Sequence, residues 1–310
     1  MRLITRSDFD GLACGALLES LGLVDEWQFV HPKDIQDGKI TATDNDIVVN
    51  VPYIKGCKLW FDHHSSETER LGKNIYFEGV SRPAPSCARV IYEYYGGDEK
   101  FKQFSEMIHN VDKTDSAELS IDEIMNPKGW ILLGFIVDPR TGLGRIHNFT
   151  ISNFELMKKL AHGELTKPIE EILALPDVKE RVEVYFEQQS LFIESVRKHA
   201  KVQGKVIVVD WCGVENIPAG NRFLLYTLFP EQNISVWVVD GKQLQNSVIT
   251  MGYSIVNKTA TVDVGSLMLK YGGGGHKQVG TCQVPYADRE RTIAEIIAES
   301  NKQGDRPTKE

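Results

Sequence analysis

The stretch KLWFDHHSSE, residues 58–67, decides the fold. A β-rich apolar run leads straight into an acid, two adjacent histidines and two small hydroxyl residues. Open parallel sheets place their ligands at the carboxyl ends of the strands. A buried strand ending at Asp62, His63 and His64 is therefore expected to reach such an edge. Two histidines and a carboxylate suit Mn²⁺, Zn²⁺ or Fe²⁺. The bland alternative for an isolated His-His pair is a salt-bridged surface dipeptide.

Around this stretch the first hundred residues alternate strand and helix signals. MRLIT, WQFV, DIVVNV (46–51) and KLWF (58–61) read as strands, and GLACGALLESL (11–21) and PSCARVIYEYYG (85–96) as helices. That alternation predicts a parallel sheet with helical crossovers. From about 99 to 200 the spacing turns helical, closing in the long charged segment DVKERVEVYFEQQSLFIESVRKHA, which suits a helix between two lobes. After Gly204, KVIVVDW, ISVWVVD and NSVITMGYSI read as strands. Helices are expected at AGNRFLLYTLF, VDVGSLMLKY and RERTIAEIIAES. The expected organisation is an α/β domain with a helical extension over 1–200, a smaller α/β domain over 204–300 and a disordered tail over 301–310.

Composition narrows the function. The chain of 310 residues is 42% hydrophobic and 25% charged, as ordinary globular proteins are. The beginning MRLITRSDFDG reaches acids too early for a signal peptide, and the five cysteines are scattered without a CxxC pair. Both observations predict a cytoplasmic protein with reduced thiols, and no apolar run approaches the ~20 residues needed to cross a bilayer. The net charge of −8 disfavours long nucleic acid as a partner. A small phosphorylated substrate or short oligonucleotide remains compatible, and a homodimer is left open.

Three more clusters carry chemistry. Asp8 and Asp10 in TRSDFDG are two apart, so on extended chain both carboxylates face one point; acids decorating a helix N-terminus would look the same. HNVDKTDSA (109–117) offers His109, Asp112 and Asp115, otherwise a solvated helix end. GGGGHKQVG (272–280) exposes backbone N–H groups, which suits an anion lying against the main chain beside His276 and Lys277. No GK[ST] closes it, so it is not a Walker loop.

DFDG at 8–11, DHH at 62–64, VDKTDSA at 111–117 and GGGGH at 272–276, in this order, resemble the DHH/DHHA1 phosphoesterase superfamily. The likeness spans about residues 1–300. FIVDPRTGLG and SNFELM look most like its exopolyphosphatase-related, nanoRNase-like branch. The resemblance implies a two-lobed Mn²⁺-dependent enzyme, with Mg²⁺ or another divalent ion as alternatives, that hydrolyses a phosphoester in a cleft between its domains. It implies Asp8, Asp10, His63 and either Asp112 (preferred) or Asp115 as metal ligands, with Asp62 supporting His63. His64 falls near the substrate phosphate. Gly273, Gly274, Gly275 and His276 match the substrate loop, and Arg222 is a candidate phosphate contact.

Two positions depart from the family pattern. A histidine common just before the paired acids is missing, the neighbours here being Ile4 and Arg6, and an aspartate common at the end of the next strand is Asn50. Both would serve the same first metal. A neutral amide cannot offset two dications only ~4 Å apart, so one firm metal site and one weak or empty site are expected, with Arg6 free to bind phosphate. Asn257 stands where nucleotide-acting relatives often carry an arginine. The leading function is a phosphodiesterase or phosphatase acting on a short oligonucleotide or small nucleotide. Exopolyphosphatase or pyrophosphatase activity, and a non-catalytic phosphate-binding protein with a degenerate metal site, are the alternatives.

Overall fold

The computed structural model describes residues 1–64, 75–145, 148–241 and 244–302. The chain forms two compact units. The first comprises Met1–Leu119 with Asn126–Phe186; the second comprises Ser120–Met125 with the chain from Glu187 on. The division falls within the long helix Pro176–His199. The segment 200–204, expected as a domain boundary, is where that helix gives way to a strand.

The first unit is built on β1 (Arg2–Arg6), β2 (Glu26–Val30), β3 (Asp46–Val49), β4 (Leu59–Asp62) and β5 (Gly79–Ser81). Their order is β2-β1-β3-β4-β5 and every pairing is parallel. Parallel sheets are covered on both faces, so central strands are apolar on both sides. Leu3, Ile47, Val49 and Phe61 enter one core with the helix Phe9–Ser20, while Ile4, Val48 and Trp60 enter a second core on the opposite face. Because both faces are apolar, hydrophobicity alone does not fix the register. Arg2 and the buried Asp46 are register partners, and Arg2 Nε and Nη2 donate to the two carboxylate oxygens at 2.7 and 2.9 Å. A bidentate pair of this kind pins one alignment of β1 and β3.

The Phe9–Ser20 helix is buried nearly all round and begins two residues before its expected start, because Asp8 caps it through Gly11 N. Two glycines let it lie against the sheet. A Cβ on Gly11 would stand 2.1 Å from the Arg6 carbonyl oxygen, and one on Gly15 would stand 1.8 Å from the Trp27 ring. Gly15→Ala is expected to lose about 1–3 kcal/mol of stability, the usual range for overpacking. An unchanged urea midpoint would show that Trp27 can yield.

In the second unit the sheet order is β10-β11-β9-β8-β7-β6. The strands are β6 (Ala200–Gln203), β7 (Val206–Asp210), β8 (Ile234–Asp240), β9 (Asn246–Tyr253), β10 (Gly274–His276) and β11 (Val279–Pro285). Only β7 and β8 pair in parallel. Burial alternates strictly along β11, as expected for an antiparallel strand with one wet face. The helix expected over AGNRFLLYTLF is shorter, Leu224–Leu228, because the Asn221 side chain accepts from Phe223 N at 2.9 Å and turns the chain first. Arg222 therefore precedes the helix and does not lie within it. The last helix, Arg289–Lys302, extends two residues into the segment expected as a disordered tail, and 303–310 lie outside the described residues.

The glycine run proves to be a packed hairpin. Gly274–His276 pairs antiparallel with β11 at the sheet edge, and the helix Val264–Leu269 lies against it. A Cβ on Gly273 would stand 2.2 Å from Thr281 O, and one on Gly275, whose φ is +153°, would stand 2.3 Å from Val279 O. Close backbone approach thus accounts for these two glycines.

Candidate metal centre and active site

At the carboxyl edge of the first sheet, three side chains from three elements converge. Asp10 sits in the first turn after β1, His63 directly follows β4, and Asp115 is the last residue of the helix Ser105–Asp115. One donor atom from each lies within 4.8 Å of the other two. His63 Nε2 is 3.2 Å from Asp115 Oδ2 and 3.8 Å from Asp10 Oδ2.

The other ring nitrogen sets the chemistry of this group. His63 Nδ1 lies 3.1 Å from the carbonyl oxygen of Ala84, which can only accept, so Nδ1 carries the proton. In the neutral ring Nε2 then offers a lone pair, and it is buried without a hydrogen-bond partner. Three acceptors facing one point are mutually repulsive unless a cation stands between them. The site residues therefore fit a divalent ion, and the N,O,O donor set suits Mn²⁺, Fe²⁺ or Zn²⁺.

Asp10 is held by main-chain donors. Cys87 N reaches its Oδ2 at 3.0 Å and Ala88 N its Oδ1 at 2.8 Å, and both belong to the first turn of the helix Cys87–Tyr94. These are otherwise orphaned helix amides, suited to an anion. Even so, burial and the neighbouring Asp115 charge push the Asp10 carboxyl up to about 7. That residual repulsion is what a bound cation would relieve.

Asp8 plays a different part. Its Oδ1 accepts from Gly11 N at 2.9 Å and Asn50 Nδ2 at 3.1 Å, and its Oδ2 faces Arg6 Nε at 3.0 Å. Burial pushes this carboxyl up and the Arg6 charge opposes the rise. Asn50 is buried in left-handed backbone, φ +55°, which asparagine tolerates better than most residues. Its amide gives Asp8 a donor where an aspartate would give a second negative charge. Arg140, half exposed and bound through Nε to both oxygens of Asp138, adds positive charge that acts on Asp8 and Asp115.

Several sequence expectations shift. Asp62 is fully buried and orients His64, its Oδ1 lying 2.8 Å from His64 Nδ1, while His63 is oriented by Ala84. Burial pulls the His64 imidazolium down, but the Asp62 hydrogen bond together with the charges of Asp62, Asp115 and Asp10 outweighs it and the group is raised. Asp112 turns away from the converging group. It accepts from Ser86 Oγ at 2.7 Å and from Arg89 Nε and Nη2 at 2.9 and 2.6 Å. Gly273, Gly274, Gly275, His276 and Arg222 belong to the second unit. Arg140, Arg89 and the Ala84 carbonyl were missed. The Asp-Pro pair at 138–139, which opens a short helix capped by Asp138, was the available signal for a turn presenting Arg140.

This constellation on this fold is that of a metal-dependent phosphoesterase, and the chain belongs to the DHH phosphoesterase superfamily, with a DHH domain followed by a DHHA1 domain. It is 46% identical to the pGpG-specific phosphodiesterase PggH from Vibrio cholerae, over 98% of this chain and 99% of that one, with a TM-score of 0.83. The DHH domain of a protein described as a member of the s1p family of ribosomal proteins shares the fold at 13% identity and a TM-score of 0.57, over 97% of this chain and 86% of that one. No family model and no curated protein sequence matches the chain. No helix among the described residues is long and apolar enough to cross a membrane.

Proposed function

We propose that this chain is a divalent-metal-dependent phosphodiesterase that hydrolyses a short oligonucleotide, with a guanine dinucleotide such as pGpG as the first substrate to test. The convergence of His63 Nε2, Asp10 and Asp115 on one point carries the reading. The name of the 46% identical relative supports the substrate class.

His63, Asp10 and Asp115 would hold the ion, with Mn²⁺ the expected metal. When bound, it supplies Lewis-acid chemistry, neutralising phosphate charge and acidifying water. The chain's own groups do the rest. Arg6 and Arg140 bring two guanidiniums to the Asp8 side, where they bind and orient the phosphate. His64, fixed through Nδ1 by Asp62, addresses a phosphate oxygen or the departing oxygen through its other nitrogen. Asp62 holds that ring and does not touch substrate.

The same geometry supports a single firm metal. Asn50 and Arg6 take up the Asp8 oxygens that a second ion would need. The direct test is release of mononucleotides from pGpG in Mn²⁺, abolished by a chelator and restored by metal. No turnover with metal bound would overturn the enzyme reading. Asn50→Asp is expected to raise the bound metal from one to two ions per chain, measured by elemental analysis after dialysis. An unchanged stoichiometry would count against this account of the first position.

A further inference from the structure

At Ser7, just after β1, the first unit holds a small cavity of about 120 Å³. Its walls are the buried side chains of Ile136, Val137, Leu156 and Met157. Two neighbours tie it to the phosphate side of the site. Ser7 lies between Arg6 and Asp8 in the chain, and Pro139 lies between Asp138 and Arg140. Whole small-molecule sites begin at about 300 Å³, so this space suits one ring system of a larger ligand whose charged part lies on the two arginines.

The cavity is apolar but carries directed polar groups. Asn153 lines it, and fully buried Arg181 donates through Nε to Asn153 Oδ1 at 3.2 Å. That bond fixes which end of the amide is nitrogen. Asn153 Nδ2 and the Ser7 hydroxyl have no hydrogen-bond partner among the described residues. Arg181 also donates to the carbonyls of Ile151 and Asp177, so the wall carrying Asn153 is anchored to the long helix. At the rim Phe154 is half exposed, with Lys158 Nζ 4.7 Å from its ring centroid and Phe29 edge-on at 6.3 Å. A half-exposed aromatic ring beside an apolar slot and an unpaired donor is what a heteroaromatic base needs: a surface to lie on and a partner for its acceptor edge.

We infer that this cavity is the base subsite of the enzyme, receiving one guanine of the substrate with its O6 and N7 acceptors toward Asn153 Nδ2. The inference rests on the phosphodiesterase reading for its choice of ligand. The lining residues Ser7 and Pro139 adjoin Arg6 and Arg140 in the chain, which relates the base subsite to the proposed phosphate contacts. Isothermal titration of the full chain in Mn²⁺ with guanosine 5′-monophosphate, and separately with inorganic phosphate, tests it without requiring turnover. The wild type is expected to bind the nucleotide at least tenfold more tightly than phosphate. Asn153→Leu and Phe154→Ala should each remove most of that difference and leave phosphate affinity unchanged. A nucleotide no tighter than phosphate, variants that bind it as wild type does, or variants that lose both ligands equally would each overturn the subsite. If the nucleotide binds through Asn153 and pGpG is still not hydrolysed, the subsite stands and the catalytic reading falls.

Discussion

His63→Ala is expected to abolish metal retention and to lower kcat/KM for pGpG by about 10³-fold, equivalent to roughly 4 kcal/mol of lost transition-state stabilisation. The size follows from geometry. His63 is the only neutral donor of the converging group, and its ring is already fixed by Ala84 with the lone pair inward. Without it, Asp10 and Asp115 are left as two carboxylates and no third donor. Cavity formation costs little because the side chain lies at the sheet edge and not in either core. Metal content and steady-state rates, with circular dichroism to show retained folding, decide the matter. A folded His63→Ala chain that keeps its ion and a tenth of its activity would remove this site as the catalytic centre.

The second large effect separates two acids one helical turn apart. Asp115→Asn is expected to mimic His63→Ala in metal loss and rate, with stability little changed or slightly improved, because repulsion with Asp10 is removed. Asp112→Asn should do the reverse. It leaves the Arg89 guanidinium without its bidentate partner and costs about 1–3 kcal/mol, less than the full penalty for a buried pair because both side chains are partly exposed. Metal content should remain that of the wild type. Measuring metal and urea midpoint on both variants gives opposite patterns if the assignment holds, and the same pattern if it does not.

The contrast shows where sequence reasoning stops. Asp112 and Asp115 are three residues apart on one helix, so they share a face and no periodicity distinguishes them. In the structure the two differ through Ser86 and Arg89, whose side chains bind Asp112. Long-range pairing of this kind leaves no local trace. The parallel sheet, by contrast, was legible because its strands are short apolar runs bounded by turn residues, and the convergence of Asp10 and His63 followed from placing strand ends on one edge. The Asp62–His64 pair could have been found. Side chains two apart on extended chain point the same way, so Asp62 was always placed to meet His64 and not His63. The helix expected from Ala219 starts later because Asn221 competes for a backbone amide, a preference for turns that apolar spacing conceals. The glycine run was read for exposed amides, whereas close packing against β11 and the Val264–Leu269 helix accounts for Gly273 and Gly275.

The main-chain contacts at 84–88 have a different kind of consequence. Ala84 O selects the tautomer of His63, and the amides of Cys87 and Ala88 hold Asp10, so part of the order in the converging group comes from main-chain atoms. Pro83 and Pro85 flank Ala84 and restrict the backbone torsions that aim its carbonyl. A side-chain scan would register Ser86, which also binds Asp112, but would not read the contacts that this segment makes through its main chain. Its information is stored as chain length: adding or deleting a single residue between Pro83 and Ala88 would carry the carbonyl and both amides out of place together.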